Sequence, residues 1–432
     1  MRFTISTCAT GMALIAAIAI APARLTSQGE QNMYRIVPLR TLGGLNGQGI
    51  GINERAWVTG SANQPEDNVS HAALWVGGPQ VIDLGALGGP GFNSAVAWPI
   101  KSNNGVIVGI SDTDEDQLPA DNFSCYPFFA TGNPTGKVCK GFRWANGTMT
   151  ALPPFPGGFN SYATAVNNRG DIVGWAENAV QDPTCNTALQ TLQFRAVIWE
   201  PDGTMKELPP LPGDSTSAAT AINDLGQVVG ISGACGIAVG GVSAAHSVLW
   251  QNGIPINIGD LGGHTWNTPT AINNQGTVVG FSLPAEQDGT RNFEAFLWTQ
   301  AGGIQRLGKL PGDIRAEALG VNAKNQVVGL SRGGPFLFRA FIWQNGVMSD
   351  LNTMTVAGSP FLLFANDIND RGEITGESFD PITLAAPAYA GIPLLSAAGT
   401  ANHRAANGSQ KALLPEIVRK QLQRRLGFLL DD

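Results

Sequence analysis

Hydrophobic and polar positions alternate in short runs that recur, in near copies, along most of the chain. In the clearest copy, the runs PTAI and TVVGFS flank a polar turn at residues 273–276. Two β-rich runs around an Asn-x-x-Gly turn are typical of a β-hairpin, because asparagine suits the first turn position and glycine accepts a positive φ. The apolar runs EAFLW, ending at Trp298, and GIQRL, ending at Leu307, predict two further strands. One copy therefore predicts about four short antiparallel strands.

Seven copies of the hairpin align, and each closes with a glycine at the end of its second strand. The closing glycines are Gly60, Gly109, Gly174, Gly230, Gly280, Gly329 and Gly376. Within the turn, Ala56 replaces glycine in the first copy, Asn325 replaces it in the sixth, and Ser102 replaces the usual asparagine in the second. A single sheet of this kind cannot cover both of its faces, so neighbouring copies must stack.

A tryptophan ends the predicted third strand in six copies, and the turn after it has nearly constant length. These residues are Trp75, Trp144, Trp199, Trp250, Trp298 and Trp343, whereas the seventh copy has PAYAG around Tyr389. The segment between the second and third strands varies widely in length. In an antiparallel blade the constant turns share one face, here called the turn face, and the variable loops and inter-copy connections share the other, the loop face. We expect function on the loop face, because loops on a rigid scaffold carry binding.

The ends of the repeat region predict how the copies close. Residues 34–42 resemble the fourth strand of a copy but precede the first hairpin, and the seventh copy ends without a clear fourth strand. We therefore predict an all-β fold over residues 33–395, a β-propeller of about seven four-stranded blades whose last blade is completed by the N-terminal strand. An open solenoid and a six-bladed ring are the alternatives.

The combined motifs resemble a known family. The sequence L-G-x-L-G-G, then I-N-x-x-G-x-V-V-G, then H-A-F-L-W is similar to the HAF-repeat family of extracellular proteins, and the similarity runs over roughly residues 39–395. The resemblance implies export. It brings no catalytic residue and no defined activity to carry over.

The segments before and after the repeat region have sequence patterns that differ from the repeats. Residues 1–23 combine Arg2, an apolar run and an A-x-A site at residues 21–23, which predicts a signal peptide and a secreted, periplasmic or extracellular protein. Residues 396–409 are small and polar, as in a linker, and residues 410–427 have the spacing of a short amphipathic helix. We predict no transmembrane segment, because no later run is long enough.

Charge and cysteine content narrow the possible partners. A net charge of −7, without a basic run in the repeats, disfavours nucleic acid. Outside the signal peptide the cysteines are Cys125, Cys139, Cys185 and Cys235, all in variable loops. Of three connectivities we favour Cys125–Cys139 with Cys185–Cys235, and the absence of a C-x-x-C spacing disfavours Zn²⁺.

The second copy carries the most informative loop. Its alternating carboxylates at Asp112, Asp114 and Asp116 could supply oxygen ligands to Ca²⁺, although Gln117 stands where a calcium loop has glycine. A solvated acidic run is the alternative. Further along, Phe123 and Tyr126 could form an aromatic platform for sugar or peptide, or pack on their own blade.

Other candidate residues lie in connections on the loop face. His264 and Trp266 share one such connection, and Asp313 and Arg315 share another, equivalent to the one that holds Asp214. The chain has no G-x-S-x-G, H-E-x-x-H or phosphate-loop motif. Turn and capping roles explain the aspartates as well as a catalytic carboxylate pair would.

The sequence favours an exported, non-catalytic monomer that binds a glycan, peptide or surface protein through its loop face, with no cofactor other than the candidate Ca²⁺. One alternative is a propeller hydrolase or lyase acting on extracellular polysaccharide, which needs His264, Asp214, Asp313 and Arg315 to converge. A structural envelope or matrix protein is the other.

Overall fold

The computed structural model describes residues 33–117, 129, 135–187, 190–235, 245–334 and 337–394. These residues form seven four-stranded antiparallel sheets, the blades of a β-propeller. The predicted fold class and blade number are therefore confirmed. The predicted signal peptide, linker and C-terminal helix lie outside the described residues.

The strands follow the chain, four to a blade. The first strand, β1 (Met33–Pro38), belongs to blade 7. Blade 1 is β2 (Gly47–Ile52), β3 (Trp57–Asn63), β4 (Ser70–Val76) and β5 (Val81–Asp83); blade 2 is β6 (Ser94–Ala95), β7 (Ile107–Asp116), β8 (Lys137–Ala145) and β9 (Thr148–Leu152). Blade 3 is β10 (Ser161–Val166), β11 (Ile172–Gln181), β12 (Leu192–Trp199) and β13 (Met205–Leu208); blade 4 is β14 (Thr216–Ile222), β15 (Val228–Gly233), β16 (His246–Gln251) and β17 (Ile254–Asn257).

Blade 5 is β18 (Thr268–Ile272), β19 (Val278–Ser282), β20 (Glu294–Thr299) and β21 (Gly303–Gly308); blade 6 is β22 (Arg315–Val321), β23 (Val327–Gly334), β24 (Leu337–Gln344) and β25 (Val347–Asp350). Blade 7 is β26 (Phe361–Ile368), β27 (Ile374–Phe379), β28 (Ala388–Leu394) and β1. Short 3-10 turns occupy Pro65–Asp67, Ala285–Gln287 and Leu351–Met354. Within the described ranges, no helix is long and apolar enough to cross a membrane.

The two ends of the described chain close the ring. Strand β1 pairs antiparallel with β28, from Met33 opposite Leu394 to Pro38 opposite Tyr389. This confirms that the N-terminal strand completes the last blade, and it excludes both the open solenoid and the six-bladed ring. The first strand of each blade is innermost, and apart from the two-residue β6 the neighbouring inner strands contact one another around the axis.

A ring of asparagines joins the blades on the turn face. Each donates its side-chain N–H to a backbone carbonyl of the next blade, at 3.0–3.3 Å. The bonds run Asn53 to Ser102, Asn104 to Asn167, Asn167 to Asn223, Asn223 to Asn273, Asn273 to Asn322, Asn322 to Asn369 and Asn369 to Asn53. The sequence predicted asparagine here only as a turn residue. The same side chain also fixes the turn. At Asn223, for example, the side-chain amide oxygen accepts the backbone N–H groups of Leu225 and Gln227.

The closing glycine of each hairpin is required by a close backbone approach. At every one of these glycines a Cβ atom would overlap a carbonyl oxygen of the inner strand, as at Gly230 with Ala218 and Gly329 with Glu317. Beside this contact the inner strand carries a β-bulge, at Ile50, Thr164, Thr220, Thr270, Leu319 and Asn366. An unpaired bulge residue can be re-aimed, here toward the axis.

Tryptophans of the third strands fill the core between blades. Trp75, Trp199 and Trp250 are almost fully buried and each donates its indole N–H to a backbone carbonyl upstream. The predicted packing role of this repeat position is therefore confirmed. This packing between blades holds the inner strands in place around the axis.

Candidate axial binding site

A cavity of about 210 Å³ lies among the inner strands of the propeller. Its walls are mainly apolar, with Ile50, Ala97, Trp98, Pro99, Pro269, Phe281, Leu319, Leu330 and Phe364. The polar lining consists of Gln48, Thr220, Thr268, Thr270, Glu317 and Asn366. A mostly apolar concavity with a few converging polar groups is the usual form of a ligand site.

One repeat position supplies much of this lining. The bulge residue stands three positions before the turn asparagine, and Ile50, Thr220, Thr270, Leu319 and Asn366 all line the cavity. The bulge residue is threonine in three blades and isoleucine, leucine or asparagine in the other three. The position two residues earlier supplies five further lining residues, namely Gln48, Ala97, Thr268, Glu317 and Phe364.

Hydrogen bonds fix several of these side chains. Thr220 donates its hydroxyl to the carbonyl of Pro269 in the next blade, and Thr270 donates likewise to Ala318. The Asn366 amide donates to the carbonyl of Gly49 across the junction of blades 7 and 1. Because these groups are held from the neighbouring blade, the wall is preorganised.

Blade 2 departs from the repeat and shapes one wall. Its inner strand β6 has only two residues, and the chain then leaves the ladder through Trp98 and Pro99. Proline lacks the N–H that a ladder needs, so it disfavours continuation of the strand. Trp98 packs edge-on against Trp175, with ring centroids 5.2 Å apart.

An ion pair between a fully buried aspartate and a lysine that is 32% exposed lies on the turn-face side of the cavity. Lys101, from blade 2, reaches Asp367 of blade 7 at 2.5 Å and also donates to the carbonyl of Ile368. The second oxygen of Asp367 accepts the backbone N–H of Ile52 at 2.9 Å. Burial raises the pKa of Asp367, and Lys101 opposes that shift. This pair ties three blades together beneath the cavity.

Two buried arginines of blade 6 lie outside the cavity lining, on a surface between blades 5 and 6 here called the cationic wall. Arg315 and Arg332 stand opposite each other on β22 and β23, and both are buried. Their guanidinium carbons lie 5.1 Å from the ring centroids of Phe293 and Phe338 respectively. Glu317, two residues after Arg315, is the acid that lines the cavity.

Burial and like charge both act on these arginines. Burial lowers the pKa of Arg315, Arg291 lowers it further, and Glu317 opposes the shift. Burial, with a contribution from Arg315, lowers the pKa of Arg332 to about 10. Burial is the largest cause of both shifts.

The candidate residues that the sequence predicted in blades 5 and 6 do not all lie together. Trp266 is buried, lies 5.4 Å from Phe293 and has Arg291 above its ring, so Trp266 and Arg315 belong to the cationic wall. His264 is 85% exposed and pairs with Asp288 at 2.8 Å. None of Trp266, Arg315 and His264 is among the residues that line the axial cavity.

The two aspartates proposed for an enzyme have structural partners. Asp214 accepts from Ser232 at 2.6 Å and lies 2.9 Å from His246. Asp313 accepts from Ser331 at 2.6 Å and pairs with Arg339. Neither lines the cavity together with His264 or Arg315. Both carboxylates are therefore bonded to side chains of the blade that follows them.

The acidic run of blade 2 lies along strand β7. Asp112 is fully buried, and burial raises its pKa to about 6, whereas Asp114 and Asp116 are exposed. Asp116 pairs with Lys137 at 2.7 Å, which lowers the pKa of Asp116. The three carboxylates do not form a compact ligand group in the described structure. The Ca²⁺ site stays a prediction, and the aromatic candidates Phe123 and Tyr126 lie outside the described residues.

A disulfide joins the loops of blades 3 and 4. Cys185 and Cys235 are bonded, as predicted, with Cα atoms 4.5 Å apart. Cys139 is also disulfide-bonded, and its predicted partner Cys125 lies outside the described residues. Asp182 lies close to the Cys185–Cys235 pair, but a disulfide leaves no thiolate to bind a metal.

Sequence reasoning missed the axial lining. Gln48, Trp98, Phe281, Glu317 and Phe364 were not singled out, because each looks like an ordinary strand residue. Most lining residues stand three or five positions before the turn asparagine, but the positions beside them vary between copies as well. The repeat pattern alone therefore does not mark the axis.

Comparison with known proteins adds a likeness of fold. No protein-family model matches the chain, and no curated protein matches it. A virginiamycin B lyase from Staphylococcus aureus is 13% identical with a TM-score of 0.46, over 84% of this chain and 100% of that one. A streptogramin B lyase is 14% identical with a TM-score of 0.46, over 84% and 98%. The β-propeller domain of the Trilobed protease from Pyrococcus furiosus is 8% identical with a TM-score of 0.41, over 80% and 89%. At these values the similarity gives no argument about binding or catalysis.

Proposed function

We propose that the protein is an exported, non-catalytic binding protein that takes one residue of a glycan into the axial cavity from the loop face. The observation that carries this proposal is the cavity of about 210 Å³ with its aromatic and hydrogen-bonding walls. Export rests on the predicted signal peptide, and the resemblance to the HAF-repeat family supports it. Membership of that family is itself a proposal.

The size of the cavity favours a small ligand. Pockets for drug-sized molecules usually have volumes of about 300–1,000 Å³. A cavity of about 210 Å³ is smaller, which suits a single sugar ring at the end of a chain. The remainder of the glycan would lie on the loop face.

The chemistry of the walls favours a sugar. Trp98, Phe281 and Phe364 offer aromatic surface to the apolar C–H face of a pyranose ring. Glu317 and the amide oxygens of Gln48 and Asn366 are acceptors for ring hydroxyl groups. This combination orients a polyol without needing a metal.

The same walls argue against glycoside hydrolysis. That reaction uses two carboxyl groups on opposite sides of the scissile bond, one of which must carry a proton. Among the residues that the structure describes, Glu317 is the single acid in the cavity lining.

Saturation-transfer NMR with the methyl glycosides of glucose, galactose and mannose tests this function. Leu319→Trp should fill the cavity and abolish the transfer, because Leu319 is a bulge residue in the lining. Ile254→Trp is the matched control, since Ile254 is exposed on an outer strand. Equal transfer in both variants, or none in the wild type, would refute the proposal. Release of nitrophenol from the corresponding nitrophenyl glycosides would instead support the enzyme alternative.

A further inference from the structure

We infer that Gln48 binds a pair of adjacent hydroxyl groups, so that the sugar in the axial cavity is a neutral pyranose whose C3 and C4 hydroxyls are free. The inference rests on the proposed function and names its ligand class. It starts from the Gln48 side chain, which lines the cavity and is only 8% exposed. This side chain makes no hydrogen bond to any residue that the structure describes.

The two threonines of the lining that stand at bulge positions differ from Gln48 in this respect. Thr220 donates its hydroxyl to the carbonyl of Pro269 at 2.8 Å, and Thr270 donates to that of Ala318 at 2.7 Å. Their protons are committed to the fold, so towards the cavity these hydroxyls can only accept. The amide of Gln48 keeps both its N–H groups and its oxygen for a molecule in the cavity.

Gln48 is an isolated polar point on the side of the cavity that is nearer the loop face. Strand β2 runs toward the hairpin turn, and Gln48 stands five positions before the turn asparagine Asn53. The same repeat position in the two adjoining blades is apolar, with Ala97 in blade 2 and Phe364 in blade 7. A ring that presents its hydroxyl edge to Gln48 therefore meets apolar surface on both sides with its C–H groups.

The chemistry of an amide decides which ligand groups suit it. Its oxygen and nitrogen are attached to one carbon, so a ligand satisfies both only by presenting a donor and an acceptor side by side. Hydroxyl groups on neighbouring ring carbons do so, because each can donate and accept. The N–H and C=O of a trans peptide group point to opposite sides, so a peptide meets only one of the two. A carboxylate only accepts and an ammonium only donates.

The position of the cavity in the ring decides which pair of hydroxyls enters. The Lys101–Asp367 pair lies on the turn-face side, so we place the rest of the glycan on the loop face. In a residue at the non-reducing end, C3 and C4 lie across the ring from the linkage carbon C1. Such a residue carries its C3–C4 diol into the cavity while its linkage stays outside.

NMR titration with deoxy sugars tests the inference. The probes are the methyl glycosides of glucose, galactose and mannose, followed by the 3-deoxy and 4-deoxy analogues of the one that binds most tightly. For the wild type we expect each deoxy analogue to bind at least about fivefold more weakly, because one hydrogen bond to the buried amide is lost.

A double-mutant cycle assigns that loss to Gln48. Gln48→Met keeps the length of the side chain and removes both hydrogen-bonding groups. This variant should bind the hexoside at least about fivefold more weakly than the wild type does, and the deoxy analogues within about twofold of the hexoside. Gln305→Met is the matched control, since Gln305 is exposed on the outer strand β21, and it should discriminate as the wild type does.

Two further readouts separate ligand binding from a structural role. Without ligand, Gln48→Met should keep the melting temperature of the wild type, because the fold loses no hydrogen bond; a lower melting temperature would overturn the inference. Gln48→Glu keeps the acceptor oxygen and loses the N–H donors. It should therefore still discriminate against one deoxy analogue and no longer against the other.

The outcomes distinguish the inference from the function beneath it. Equal binding of the hexoside and either deoxy analogue by the wild type would overturn the inference and leave glycan binding intact. Discrimination that survives in Gln48→Met would also overturn it. Binding of none of the hexosides would overturn both proposals, and so would competition by N-acetylalanine methylamide as strong as by the hexoside, because that result would show a peptide site.

Discussion

The asparagine ring on the turn face makes a sharp prediction about stability. Asn223 is buried, and its amide donates to the carbonyl of Asn273 at 3.0 Å and to the side chain of Gln227 at 2.8 Å. Asn223→Asp keeps the shape and the acceptor oxygen that locks the turn. The substitution removes both donated hydrogen bonds and places a carboxylate oxygen against two acceptors, the Asn273 carbonyl and the Gln227 side-chain oxygen.

The cost follows from these contacts. A buried group left without its hydrogen bond costs about 1–3 kcal/mol, and the new charge adds to this, so we expect a loss of about 2–4 kcal/mol in unfolding free energy. For a domain of this size that corresponds to roughly 3–6 °C in melting temperature. Lower pH should restore stability, because the protonated Asp can donate to the Asn273 carbonyl.

Urea unfolding followed by tryptophan fluorescence at pH 7 and pH 4 measures both effects. The matched control is Asn252→Asp, the same substitution at an exposed turn of the same blade. We expect the control to change the unfolding free energy by less than about 0.5 kcal/mol. Equal losses at both positions, or a loss at Asn223 that does not shrink at pH 4, would refute the role assigned to the inter-blade bond.

Two further predictions concern the linkage between blades. Replacing Cys185 and Cys235 with alanine should lower the unfolding free energy by up to about 4 kcal/mol, because the disulfide closes a loop of 50 residues; an unchanged melting temperature under oxidising conditions would refute this. Lys101→Met should destabilise the fold at pH 7, by somewhat less than the roughly 3–5 kcal/mol of a fully buried pair, because Asp367 then lacks its cation. A carboxyl whose folded pKa is raised loses stability as pH rises above about 4, so acid should rescue Lys101→Met but not the exposed control Lys206→Met. Chemical denaturation from pH 4 to pH 8 checks this, and a pH-independent loss would contradict it.

Local patterns in the sequence were enough to predict the blades. The hairpin needs only neighbouring residues, since an Asn-x-x-Gly turn and two apolar runs define it within about 15 positions. The orphan strand at residues 34–42 predicted closure, and the β1–β28 pairing confirmed it. The loop-borne cysteines Cys185 and Cys235 could be paired because equivalent loops of adjacent blades must be neighbours.

The axial site was not predictable in the same way. Glu317 and Arg332 lie in strands whose pattern resembles every other blade, and nothing local shows that one lines a cavity while the other opposes Arg315. His264 seemed a better candidate from its connection, yet it is exposed and paired with Asp288. The residue types alone did not show which of these side chains lines the cavity.

The sequence by itself determined the repeating unit, its turns and the number of units, because these depend on contacts between residues close along the chain. The tertiary structure decided which residues share the axis. The inner strands turn two repeat positions toward the axis, three and five before the turn asparagine, and ring closure then brings Ile50 beside Asn366, more than three hundred positions later. Proximity across the ring depends on all seven blades at once, so no local pattern contains it.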